Sequence, residues 1–159
     1  MKKLLPVLLA GLLVAPVAAA TPADDQDVTK PIHQFIDGFN TGDVKSAYAA
    51  YVQGSIVIID EFAPHLWVGP KAPQLWAADY LKNAKATGVT DGSVKYGPPT
   101  RSEVEGAKAY VIVPTVYTYT QKGVATAEEG EMTFVLSKGS AGWKIKGWTW
   151  SGVKPHPAG

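Results

Sequence analysis

Asp60, Glu61 and His65 lie within six positions of one another, where the apolar run Ser55–Asp60 (SIVIID) stops. A carboxylate at the end of a buried strand is suited to general-base chemistry. Apolar neighbours such as Phe62 and Trp67 penalise its charged form and raise its affinity for a proton. An imidazole five residues further on is of the type that relays or orients a proton. Asp60 is therefore the candidate base and His65 its helper. The same pattern also suits a solvent-facing rim on which Asp60 and Glu61 cap a loop, and structural carboxylates are common. The spacing leaves both uses open.

Aromatic residues are the second chemical signal. Trp67, Trp76, Tyr80, Tyr117, Tyr119, Trp148 and Trp150 fall on segments that read as elements of one layer pair. They suit ordinary core and dimer packing, and equally the wall of a small apolar pocket. Such pockets carry a few placed polar groups, and Asp60, His65, Tyr117, Tyr119 and Thr133 are of the right type. Metal chemistry finds no support. His33, His65 and His156 are scattered, cysteine is absent, and no H-x-x-x-H spacing occurs. His33 reads as an outer-face residue of the first helix and His156 as part of a Pro-rich tail. Glu128, Glu129 and Glu131 read as a solvated strand edge. There is no Gly-rich phosphate loop and no G-x-S-x-G elbow. No cofactor is expected.

The elements that must position these residues follow from periodicity. Ile32, Phe35, Ile36 and Phe39 form one apolar stripe of a helix that is expected to begin near Thr29–Pro31. Asn40-Thr41-Gly42-Asp43 ends it and caps a second helix bearing Val44, Ala47, Tyr48 and Tyr51. Ser55–Asp60 is apolar on both faces and is expected to be covered on both. Gly69-Pro70 opens a third helix with Leu75, Trp76, Tyr80, Leu81 and Ala84, ending at Gly88. From Asp91 the chain becomes strands and turns: about Gly92–Val104 broken at Pro98-Pro99, then Lys108–Thr120, Ala125–Ser137 and Trp143–Ser151. Pro114 suggests a bulge or an edge. Strict alternation in the last strand would put Trp148 and Trp150 beside Lys144 and Lys146. A bulge at Gly147 would return both to the face of Trp143 and Ile145.

The 159-residue length suits one domain. Residues 1–20 have the features of a cleavable secretory signal: Lys2-Lys3, the apolar run Leu4–Val14, Pro16, and Ala18-Ala19-Ala20 as the cutting site. A periplasmic or secreted location follows as an expectation. Residues 21–29 read as a flexible linker, 30–154 as the domain and 155–159 as a disordered tail. With no cysteine, neither disulfides nor a lipid-modified cysteine is possible, and packing alone must hold the domain. Removing Lys2 and Lys3 from 15 basic residues leaves 13 against 14 acidic, a net charge of −1. Arg101 is the sole arginine. Nucleic acid is an unsuitable partner for so neutral a surface, and no later segment has the length and apolarity to cross a membrane.

Helix, NTGD, helix, a strand ending in aspartate, a helix and a meander closing on GWKIKGWTW (Gly142–Trp150) resemble the nuclear transport factor 2-like superfamily, which includes ketosteroid isomerases, scytalone dehydratase and SnoaL-like cyclases. The resemblance covers Pro31 to about Lys154. It implies an α+β cone, about three N-terminal helices on a curved, mostly antiparallel sheet. The isomerases of that superfamily use an aspartate base at the end of the first strand, and Asp60 matches it. Their oxyanion-donating tyrosine falls at Phe35, which cannot donate, and their second donor falls near Met132. Steroid isomerisation by that machinery is therefore not expected, and Phe35 is assigned to the pocket wall. The resemblance further implies a homodimer through the sheet. Three functions fit: binding of a small hydrophobic or aromatic molecule in the cone, which is preferred; an isomerase, dehydratase or cyclase with Asp60 as base; and a non-catalytic homodimeric interaction module. A fold alone does not choose among them.

Overall fold

The computed structural model describes residues 22–159. The expected signal, residues 1–20, lies outside them. Three helices, α1 (Pro22–Thr41), α2 (Val44–Ala49) and α3 (Ala72–Thr87), pack on an eight-stranded sheet. Its strands are β1 (Ile56–Ile59), β2 (Leu66–Gly69), β3 (Val89–Tyr96), β4 (Arg101–Glu105), β5 (Lys108–Gln121), β6 (Val124–Gly139), β7 (Gly142–Gly152) and β8 (His156–Pro157). Their order is β2-β1-β7-β6-β5-β3, with β4 also on β5 and β8 on β6. Among the described strands only β1 and β7 run parallel; every other pair is antiparallel. This is the expected α+β cone.

The first helix begins earlier than the apolar stripe suggested. It starts at Pro22 and contains Pro31, so residues 22–29 are helical and not a flexible linker. Val28 and Ile32, one turn apart, are both fully buried and extend the stripe backwards. Gly42 takes φ 72°, and Asp43 then caps α2 by accepting the Ser46 N–H at 3.0 Å. Asn40 fixes the end of α1 to β3. Its amide donates to the Val94 carbonyl at 2.8 Å and accepts the Val94 N–H at 2.8 Å.

Several expectations meet corrections. β1 is covered on one face only. Ile56 and Ile58 are buried, whereas Val57 and Ile59 are exposed because none of the described helices crosses the outer side of the sheet. Leu75 and Leu81 of α3 face outward. The tail is a short strand, with His156 opposite Ala127, and His156 Nε2 lies 2.7 Å from Glu129 Oε2. His33 is half-buried and stacks on Tyr96 with ring centroids 4.7 Å apart. Pro114 has a specific reason. β5 pairs with β3 up to Thr115 and with β4 from Ile112, so Pro114 falls in the gap where no N–H is required.

Three side-chain parities face the helices: odd positions on β5, even positions on β6, and Trp143 and Ile145 on β7. Buried Val111, Val113, Phe134, Leu136 and Ile145 form the sheet side of the core. The β7 register shifts between Val135 and Leu136, which pair with Gly147 and Ile145, so Lys146 is the extra residue. Trp148 is thereby buried on the same face as Ile145. Gly147 permits this because a Cβ there would lie 2.6 Å from the Val57 carbonyl oxygen of the parallel neighbour. Gly147→Val is expected to destabilise the domain by roughly 1–3 kcal/mol through overpacking, read as a lower urea midpoint. An unchanged midpoint would mean that β1 and β7 are not held this close.

Candidate functional site

The site is assembled where β1 ends against α3. The loop after Asp60 is tight: the Asp60 N–H donates to the His65 carbonyl at 3.1 Å and the His65 N–H to the Phe62 carbonyl at 2.9 Å. This turns the Asp60 carboxyl towards α3. Its Oδ2 accepts the Trp76 indole N–H at 2.7 Å, and its Oδ1 accepts the Glu61 backbone N–H at 2.7 Å. Burial raises the Asp60 pKa, the two donors oppose that rise, and the Glu128 charge adds to it.

Behind Asp60 lies a cavity of about 260 Å³. Phe35, Ile36 and Phe39 of α1 form one wall, and Trp76, Tyr80 and Ala84 of α3 another. The sheet supplies Tyr117, Tyr119, Glu128, Met132, Trp148 and Trp150. The rings interlock. Trp76 stacks on Tyr80 at 5.8 Å and meets Trp148 edge-on at 5.2 Å and 86°. Phe35 lies 5.6 Å from Trp148. Across the cavity the Tyr80 and Tyr117 hydroxyls share a hydrogen bond of 2.8 Å. Burial raises the pKa of both, so they remain neutral.

Glu128 is the most deeply placed carboxyl. It is 2% exposed, its Oε1 accepts the Tyr119 hydroxyl at 2.6 Å, and its Oε2 has no hydrogen-bond partner. Glu61 lies near it at the mouth, exposed on one side and covered on the other. Burial first, then the Glu128 carboxyl and the charge of Asp60, push the Glu61 pKa up to about 8. The Trp150 indole N–H opposes this from outside hydrogen-bonding geometry. Three carboxyls thus meet at one end of an apolar cavity. Among the described residues no group of His, Cys, Asp and Glu is arranged to hold a metal ion.

Of the residues singled out from the sequence, Phe35, Asp60, Trp76, Tyr80, Tyr117, Tyr119, Trp148 and Trp150 line this cavity together. Three do not. His65 is exposed with φ 72°, and its Nδ1 lies 3.2 Å from the Asp60 carbonyl oxygen, not from its carboxyl. Trp67 packs behind Phe62 at 5.1 Å and donates to Asp79 Oδ2 at 2.9 Å. Thr133 is at an odd position of β6, opposite Ile112 and Thr149 on the outer face; its neighbour Met132 faces inward. Glu128, expected at a solvated strand edge, faces the cavity. The even-position parity of Met132, Phe134 and Leu136 was the signal that turns it inward. Gly92 was also missed. It lies in the β3 bulge after Asp91 (φ 58°), and a Cβ there would collide with the Tyr80 hydroxyl and lie 2.8 Å from that of Tyr117.

The raised Glu61 pKa links stability to pH. In the folded chain Glu61 keeps its proton up to about pH 8, against 4.5 for the free side chain. The folded state therefore binds the proton more tightly. That contribution is complete below the unfolded pKa and is lost as pH rises through the folded one. Melting temperature should fall as pH is raised across this window, and Glu61→Gln should flatten the decline. A variant that keeps the full slope would place the titration elsewhere.

No family model matches the sequence, and no curated protein matches it. Solved structures do match in shape. A candidate aromatic ring hydroxylase from Novosphingobium aromaticivorans superposes with a TM-score of 0.71 at 14% identity, over 88% of this chain and 96% of that one. A superfamily protein from Salmonella enterica gives 0.68 at 18% identity, over 85% and 94%. A hexachlorocyclohexane dehydrochlorinase gives 0.69 at 11% identity, over 86% and 90%. At these identities the likeness is one of fold. Cone, helix layer and sheet order together give this chain the fold of the nuclear transport factor 2-like superfamily.

Proposed function

We propose that the protein is a secreted or periplasmic cone domain that binds a small hydrophobic or aromatic molecule. One observation carries this reading: a cavity of about 260 Å³ walled by aromatic rings, with its polar groups gathered at one end. Binding sites are typically apolar with few placed polar groups, and drug-sized ones measure roughly 300–1,000 Å³. The occupant is accordingly small. A cone filled by its own side chains would have suited a pure assembly module; the cavity speaks against that use. Calorimetric titration with p-cresol should give saturable one-to-one heat. Ala84→Trp, which fills the cavity from α3, should remove it while the variant remains folded. Absence of binding to the unaltered protein, or equal binding to Ala84→Trp, would overturn the reading.

A second reading draws on Asp60. A carboxylate of raised proton affinity beside an apolar cavity suits proton removal from a bound substrate. The dehydrochlorinase of similar fold is named for an elimination. Here Asp60 would take the proton in a cofactor-independent isomerase, dehydratase or cyclase, and protonated Glu61 is placed to return one. Asp60→Asn would abolish turnover in that case; in a pure binder it would change only affinity.

The outer sheet face supports a homodimer. Val68, Val57, Gly147, Val135 and Tyr110 fall in one row across five strands, with Ile59 and Leu66 beside it. Val57, Val68 and Val135 are 41%, 59% and 43% exposed, which makes the row an apolar surface. A twofold axis through this face would cover it with its own copy. Native mass spectrometry of protein recovered from the cell envelope or medium should find chains beginning at Thr21 and twice their mass. A full-length monomer would oppose both expectations.

A further inference from the structure

We propose that the molecule bound in the cone is an organic cation, an aromatic or short-chain amine whose ammonium group lies between Glu128 and Glu61. The inference rests on the binding reading above and names the chemical class of its ligand.

The cavity wall holds Asp60, Glu61 and Glu128 and not a single lysine, arginine or histidine. Buried carboxylates are ordinarily paired or fully hydrogen-bonded, because an unpaired charge in an apolar setting is strongly disfavoured. Asp60 meets this requirement through Trp76 and the Glu61 backbone. Glu128 does not. Its side chain is almost wholly buried, Tyr119 satisfies one oxygen, and Oε2 has no hydrogen-bond partner; the group beside it at the mouth is a second carboxyl, Glu61, which can donate only while it carries a proton. A ligand N–H reaching that oxygen would supply both the missing hydrogen bond and the missing positive charge.

The rest of the wall fits the same cargo. Trp76 and Trp148 meet at 86°, and Tyr80 stacks on Trp76, so several ring faces and edges converge beside the carboxyls. Ring faces attract ammonium groups, and Trp attracts them best. Anionic ligands find the opposite: three acidic side chains, and only neutral donors from tyrosine and indole groups. A carboxylate or phosphate ligand is therefore selected against by charge.

Three probes of similar size separate the outcomes: benzylammonium, benzyl alcohol and benzoate, each titrated calorimetrically into the full mature chain. Benzylammonium should bind at least roughly tenfold more tightly than benzyl alcohol, a difference of about 1.4 kcal/mol, and benzoate more weakly than either. Glu128→Gln keeps an oxygen for Tyr119 and should bring the first two within about threefold of each other. If that variant loses its near-ultraviolet aromatic signal, the Glu61→Gln variant carries the same comparison. Equal affinities, or a preference for benzoate, would overturn the cation inference and leave the binding reading standing. Failure of all three probes, together with failure of p-cresol, would overturn both.

Discussion

Side-chain parity in a sheet is unforgiving, and one extra residue in β7 decides what this cone contains. Along β7 the inward positions are Trp143 and Ile145, and then, after the bulge at Lys146, Trp148 and Trp150. Without the bulge, strict alternation would put both tryptophans on the outer face beside Lys144 and Lys146, and Gly147 and Thr149 would face the core. The bulge needs Gly147, because the β1 backbone lies directly against it. β1 in turn is held parallel to β7 over only three pairs, Val57 to Ile59, and leads directly into Asp60. The same local contact therefore sets the aromatic wall and the origin of the carboxyl that faces it.

Asp60 and Glu128 are reached by different routes, which is why they differ chemically. Asp60 leaves a strand end and has a backbone N–H and an indole N–H within reach, so its charge is solvated by the protein. Glu128 projects from the middle of a long strand whose own N–H groups are used in pairing. Only side chains can serve it: Tyr119 donates to one oxygen, and Glu61 lies beside the other. Glu61 feels both and yields by holding a proton.

Most of the architecture was legible in the sequence because it depends on local rules. NTGD names a helix end and a cap through the positive φ of Gly42 and the Asp43 carboxylate. Turn residues at Gly106, Gly123 and Gly142 mark the meander, and their positive φ values bear this out. The tryptophan register in β7 could be argued from the clash between alternation and the alternating lysines. What failed was reading that stopped at one feature. A proline inside α1 masked a stripe that continues to Val28. A run apolar on both faces suggested two covers for β1, although an uncovered face is equally rich in valine and isoleucine. Three glutamates close together suggested solvent, although alternation sends Glu128 in and Glu129 out. His65 stood near Asp60 in sequence, yet its left-handed backbone turns the ring away from the carboxyl.

The Tyr80–Tyr117 pair shows how far such a site depends on residues with no chemistry of their own. The pair spans from α3 to β5, and its 2.8 Å separation requires that nothing stand between the hydroxyls and β3. Gly92 provides that space, and it can do so because the β3 register slips between Thr90 and Ser93. The slip lets the strand continue to Val94, where Asn40 grips its backbone at both N–H and carbonyl. The end of α1, the bulge in β3 and the tyrosine bridge are therefore one mechanical unit. It joins the helix layer to the sheet on the side of the cavity opposite the β1–β7 contact. With both sides tied, the apolar space between them is kept open by the fold, and the carboxyls at its end keep the polarity that a ligand must match.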